Sequence, residues 1–192
     1  GSIFGPSENS QGLGVSADGT TVVGSSQTGL VDGTEAFSHV AGDMTNLGTP
    51  GDGFSSLAVA ASADGSVIVG QTIASGNSVT EAFRYTNGTK TGLGDLPGNI
   101  FSSRATGVSA DGSLVVGQGY ALNGREAFVW DASTAMMTSI ADELIADGID
   151  LTSLGWERLS VANAISADGG TIVGIGIHDG NVEAWSASLA PV

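Results

Sequence analysis

Hydrophobic residues in this chain fall in short runs, each apolar on both faces of an extended segment and each closed by glycine. The runs are Val22-Val23-Gly24, Val67-Ile68-Val69-Gly70, Leu114-Val115-Val116-Gly117 and Ile172-Val173-Gly174. A strand with that pattern is covered on two sides rather than washed by water. Before every run stands the tetrapeptide Ser-Ala-Asp-Gly, beginning at Ser16, Ser62, Ser109 and Ser166, at intervals of 46, 47 and 57. After every run comes Glu-Ala and an aromatic: Glu35-Ala36-Phe37, Glu81-Ala82-Phe83, Glu126-Ala127-Phe128 and Glu183-Ala184-Trp185. Three motifs in one order, four times over, make self-similarity the leading signal of the chain.

Each unit reads as four strands. An Asp-Gly pair between apolar segments predicts a hairpin with a two-residue type I′ turn, so Gly14–Ala17 and Thr21–Gly24 pair, and likewise in the other units. The Glu-Ala-aromatic segment is the third strand. A short fourth follows in Met44–Leu47, Thr91–Leu96 and Met136–Ile140. Four strands in ~40–50 residues make one propeller blade. The strand before each Asp-Gly is built of small residues, as in Ala58-Val59-Ala60-Ala61 and Ala162-Asn163-Ala164-Ile165. That suits strands converging on an axis, where large side chains collide.

The ends add an expectation about closure. The last unit stops after its third strand at Ala187–Val192, while Ile3-Phe4-Gly5-Pro6 reads as a fourth strand placed ahead of the first unit. The expected fold is therefore an all-β, four-bladed β-propeller in one domain over 1–192. Its units run 11–56, 57–103, 104–160 and 161–192 with 1–10, and the N-terminal strand completes the last blade. A fragment of a longer propeller and a β-solenoid are the alternatives. The longer third interval places one helical insertion within Thr138–Arg158. Ile140, Leu144 and Ile145 have helical spacing, Ser139 is a cap and Asp147-Gly148 a stop.

The pattern resembles the bacterial extracellular repeat family named HAF after its His-Ala-Phe motif. The resemblance rests on Ser-Ala-Asp-Gly, the Val-Val-Gly runs, the Ala-Phe strands and the turn Gly92-Leu93-Gly94-Asp95-Leu96-Pro97-Gly98. Leu47-Gly48-Thr49-Pro50-Gly51 matches that turn loosely, and the unit from Gly148 to Trp185 resembles a closing repeat. Glu stands in place of the eponymous His in all four copies. The resemblance implies a secreted or surface-anchored bacterial protein, in some cases attached to an autotransporter barrel. It implies no established chemistry.

Charge narrows the partners. Asp and Glu number 20 against five Lys and Arg, for a net charge of −15. So few cations cannot neutralise a nucleic-acid backbone. There is no cysteine, hence no disulfide or thiolate site. The longest apolar stretch, Leu57–Ala61, is far short of a membrane span, and no stretch reads as a secretory leader.

Catalytic constellations do not emerge. His39 and His178 occupy different places in the repeat and do not recur. Gly14-Val15-Ser16-Ala17-Asp18 misses the nucleophile-elbow pattern, and its fourfold recurrence points to a turn. Lys90 lacks a glycine-rich phosphate loop before it, and Gly174-Ile175-Gly176 lacks the third glycine of a dinucleotide fingerprint. Ca²⁺ is the metal that so many carboxylates would favour. The densest acid cluster, Asp142, Glu143, Asp147 and Asp150, reads as a solvated helix face, and the four repeated Glu as strand-end hydrogen bonders. No cofactor is expected.

Variation over a fixed scaffold marks a binding surface. The loops from second to third strands and from fourth strands to the next unit share one end of the propeller and differ between units. Tyr120, Trp156, His178, Phe54 and Phe101 are the candidate contacts there, although the recurrence of Phe54 and Phe101 eight residues before a repeat Ser equally suits core packing. The expected function is non-enzymatic binding or adhesion outside a bacterial cell, toward a host or environmental glycan or protein. An enzyme acting on an extracellular polysaccharide, and a structural spacer, are the alternatives.

Overall fold

Residues 9–27, 33–48, 53–74, 79–98 and 100–189 are described by a computed structural model, and they form four antiparallel sheets in chain order. The first sheet holds β1 (Ser10–Val15), β2 (Thr21–Gln27), β3 (Thr34–Val40) and β4 (Asp43–Asn46). The second holds β5 (Gly53–Ala61), β6 (Val67–Ala74), β7 (Thr80–Thr86) and β8 (Thr89–Gly92). The third holds β9 (Ser103–Val108), β10 (Leu114–Ala121), β11 (Gly124–Asp131) and β12 (Met136–Ser139). The fourth holds β13 (Trp156–Ile165), β14 (Thr171–His178) and β15 (Asn181–Ser188). Strands that follow in sequence pair in space, so each sheet is a meander and not a solenoid coil. The segment expected to complete the last sheet, Ile3-Phe4-Gly5-Pro6, lies outside the described residues.

The Asp-Gly hairpins form, but not with the expected turn. Type I′ needs positive φ at both central residues, and here only Gly19, Gly65, Gly112 and Gly169 have it, with φ of 74, 71, 73 and 76°. The aspartate has another task. Asp18 Oδ1 accepts the Ser16 hydroxyl at 2.5 Å and the Thr20 amide at 2.9 Å. Ser16 Oγ in turn accepts the Thr21 amide at 3.0 Å, which satisfies a buried serine on both sides. Ser62–Asp64–Ser66 and Ser109–Asp111–Ser113 repeat the network. Paired positive φ appears instead at Ala41-Gly42, Asn87-Gly88 and Asp179-Gly180, which join other strands.

The turns also bond to one another. The Asp18 amide donates to the Ala63 carbonyl at 3.1 Å, Ala63 to Ala110 at 2.9 Å, and Ala110 to Ala167 at 2.9 Å. This hub sets each sheet beside the next. The glycine that closes each apolar run is a second local requirement. A Cβ on Gly24, Gly70, Gly117 or Gly174 would lie 1.9–2.0 Å from a carbonyl oxygen of the neighbouring first strand. That strand bulges next to the glycine in every sheet, bringing its backbone in.

Side chains then fill three joints. Val23, Ala36 and Leu47 of the first sheet meet Ala58, Ile68 and Phe83 of the second. Val69, Ala82 and Leu93 meet Ala105, Val115 and Phe128. Val116, Ala127 and Ile140 meet Ala162, Ile172 and Trp185. A serine of the receiving strand locks two of these joints. Ser56 Oγ accepts the Ala36 amide at 2.9 Å and donates to the Gly48 carbonyl, and Ser103 Oγ accepts the Ala82 amide at 3.0 Å and donates to the Gly94 carbonyl.

The third joint is built differently, because α1 (Ile140–Ala146) follows β12 and supplies Ile140 and Leu144 to it. Its end is a paired cap: Gly148, at φ 87°, donates to Ile145, and Ile149 donates to Leu144 at 2.9 Å. Ser139 stands at the N-cap as expected, but its hydroxyl serves Glu126 at 3.0 Å and makes no cap bond.

Two outcomes follow for stability. Hydrogen bonds from the Ser66 amide and from the Ser109 hydroxyl hold the Asp64 and Asp111 carboxyls at about 2, and Asp18 and Asp168 are lowered in the same way. A lowered folded value stabilises the fold above the ordinary carboxyl range, and that stabilisation is lost as pH falls from about 4 toward about 2. Urea midpoints measured between pH 6 and pH 2 should fall mainly below pH 4, and more shallowly in an Asp64→Asn, Asp111→Asn variant. Ser103→Ala leaves the Ala82 amide and the Gly94 carbonyl without their partner and should cost about 1–3 kcal/mol in urea denaturation. Ser10→Ala, at the equivalent but exposed position, should stay within about 0.5 kcal/mol.

Candidate functional site

Antiparallel order puts the Ser-Ala-Asp-Gly turns at one end of the sheets. The ends of β2 and β6, the loops after β10 and β14, and the described parts of the connections after β4, β8 and β12 lie at the other end. At this second end the chain leaves large apolar side chains in water. Leu122 is 72% exposed and Ile100 58%, with Phe101 and Leu154 close to half exposed. Backbone contacts bring their loops together. The Tyr120 amide donates to the Ser102 carbonyl at 3.1 Å, which sets the β10–β11 loop beside Ile100 and Phe101. On its other side Arg158 Nη1 donates to the Asn123 carbonyl at 3.3 Å, tying that loop to β13.

Asp95 shapes the segment that carries Ile100 and Phe101. Its Oδ2 accepts the Ser102 amide at 2.8 Å, closing the loop over seven residues. Burial raises the Asp95 carboxyl above its ordinary value, and Oδ1 has no partner among the described residues.

The structure sorts the expected contacts into two groups. Trp156 and His178 face each other across β13 and β14, with ring centroids 4.8 Å apart. His178 is held in place: Nε2 lies 2.9 Å from the Leu154 carbonyl oxygen and Nδ1 3.0 Å from the Glu183 carboxylate. Trp156 packs against the core of the third joint, so this pair fixes the loop bearing Leu154 more than it presents a free surface. Phe101 and Tyr120 form the other group: Tyr120, near the end of β10, bonds through its amide to the carbonyl of Ser102, the residue after Phe101. The core-packing reading of Phe101 fails, since nearly half of it is exposed. The side chain of Phe54 and loop residues 28–32 and 75–78 lie outside the described residues.

Ile100, Leu122 and Leu154 were not singled out from the sequence. Each lies in a loop, with no repeat partner and no period to flag it. Their one signal is a hydrophobic residue at the tip of a connection that is otherwise polar.

The repeated glutamates act within their own sheets. Glu81 Oε1 accepts the Gly94 amide at 3.1 Å, Glu126 accepts Ser139, Glu35 accepts Asn46, and Glu183 faces His178. No group of three or more acidic or histidine side chains able to hold a metal occurs among the described residues. Asp142, Asp147 and Asp150 are exposed on and after α1. Lys90 is the most perturbed cation. Burial lowers it to about 8, with its Nζ 4.3 Å over the Phe83 ring and bonded to the Gly48 carbonyl in the first joint. No helix among the described residues is long and apolar enough to cross a membrane.

No protein-family model matches the chain, and no curated protein matches it. Solved structures do. The structure of putative TolB from Agrobacterium tumefaciens matches 97% of this chain and 60% of its own, at 17% identity and a TM-score of 0.61. TolB from Acinetobacter baumannii matches 97% of this chain and 43% of its own, at 12% identity and a TM-score of 0.58. A puromycin hydrolase mutant in complex with PGG matches 94% of this chain and 27% of its own, at 17% identity and a TM-score of 0.59. The chain thus spans less than two thirds of each. At such identities the likeness concerns the fold, and with the four meanders and their hub it makes these sheets the blades of a β-propeller.

Proposed function

We propose that the chain is a non-enzymatic binding module, secreted by a bacterium or held at its outer surface, which takes a protein or glycan on the loop end of its blades. The observation that carries this reading is the set of large apolar side chains left in water there. Loops free to be polar instead hold up Ile100, Phe101, Leu122 and Leu154, and each exposed apolar surface costs free energy that a partner recovers by covering it. The loops are pinned from below, by Asp95 and by the Arg158 bond to Asn123, so little ordering entropy is lost on binding. Placement outside the cell rests on the repeat's resemblance to extracellular HAF proteins and agrees with the acidic, cysteine-free composition. Attachment to an autotransporter barrel and a role in adhesion belong to the same reading. As to ring size, the exposed faces of the first and last sheets among the described residues favour a propeller of more than four blades, while the closing strand expected of Ile3-Phe4-Gly5-Pro6 lies outside those residues.

The test is a binding screen against immobilised glycans and extracellular-matrix proteins, run with the parent chain and with a Phe101→Ser, Leu122→Ser variant. The parent should bind at least one probe, and the variant should lose tenfold or more of that affinity with an unchanged urea midpoint. Absence of binding to every probe, or equal binding by both proteins, overturns the proposal.

A further inference from the structure

The three joints use one set of positions, and the same set stands unused at both ends of the arc. Val23, Val69 and Val116 turn toward the following blade and are fully buried, whereas Val173, their counterpart in the fourth blade, is 42% exposed. Ala36, Ala82 and Ala127 behave like the valines, and Ala184 is exposed. The receiving side is equally regular. A serine stands six residues before each turn serine, and in two of the three joints, at Ser56 and Ser103, it accepts the alanine amide of the preceding blade. Ser10 occupies that slot in the first blade and is exposed. The hub stops in the same way: its bonds run from Ala63 to Ala110 to Ala167, and among the described residues no carbonyl takes the Ala167 amide.

We propose that the outer face of the fourth blade is a socket for a further blade of this same repeat, supplied by the same polypeptide. The occupant's chemistry is dictated by the existing joints: a first strand with serine and a small residue two positions on, an apolar residue that turns back, and an aromatic ring. Supply in cis is favoured on three counts. All three existing joints form between consecutive units. A tethered unit arrives at an effective concentration of order mM, whereas two copies carrying −15 each repel. The TolB chains that this chain superposes on are longer than the part it matches.

The experiment extends the chain. β15 ends at Ser188, where β3 ends at Val40, as their pairing with Thr171 and Thr21 shows. Residues 41–98 appended after Ser188 therefore provide a fourth strand for the last blade and then one complete blade. Ala184→Cys is combined with Ser→Cys at the appended copy of Ser56, and a short bifunctional thiol reagent is applied. The expected result is efficient intrachain cross-linking, with a single unfolding transition at a higher urea midpoint than the parent. Val173→Asp should abolish both gains in the extended chain while leaving the unextended chain's midpoint unchanged, which separates a lost joint from a misfolded blade. The unextended chain carrying Ser10→Cys and Ala184→Cys is the control. Cross-linking within its monomer would mean that four blades close on themselves, and cross-linking between copies that the socket takes a second chain; either overturns the proposal. So does an appended blade that unfolds separately without cross-linking. None of these readings depends on ligand binding at the loop end, so failure here and failure of the proposed function are distinguishable.

Discussion

Everything in this molecule hangs on the hydrogen bonds that pass from one Ser-Ala-Asp-Gly turn to the next. A four-stranded meander has two faces to bury and cannot do so alone. The hub solves this by placing the backbone of each turn within bonding distance of its neighbour, and the valine, alanine and aromatic positions then meet face to face. The aspartate serves the hub indirectly. It saturates the turn's own hydroxyl and amide groups, leaving the alanine amide and carbonyl free to point across to the next blade.

This division separates stiffness from variability. The turn end is locked by short-range polar bonds and by glycines whose space is taken by a neighbouring backbone. The loop end is tied down at only a few points, such as Ser102 to Asp95 and Arg158 to Asn123. Most residues that make the joints lie within the strands or beside their ends, with Leu96 and the α1 residue Leu144 as exceptions, so the exposed loop tips can change without disturbing the joints. A rigid frame whose loops differ from unit to unit suits recognition.

The blades were legible because three motifs recur in order, and recurrence survives ignorance of any single residue's role. What was not legible follows from the physics of each position. The Asp-Gly pair matches a type I′ signal, but a serine two residues before the aspartate offers its hydroxyl, and that bond wins over positive φ at the aspartate. Ser139 sits where a cap belongs, yet Glu126 across the sheet competes for its hydroxyl. Phe101 recurs in phase with Phe54 and so looked like core, while the loop closed by Asp95 carries it outward. Both faces of the Ile172-Val173 run read as covered, but burial on one side depends on a neighbour, which the run itself does not encode.

The bulge opposite each closing glycine has a bearing on the history of such chains. Because every blade carries its own bulge, its own glycine and its own half of each joint, a duplicated gene segment arrives already compatible with the blade before it and the blade after it. Adding or removing whole units keeps each bulge opposite its glycine, whereas a one-residue insertion inside a first strand moves the two out of register.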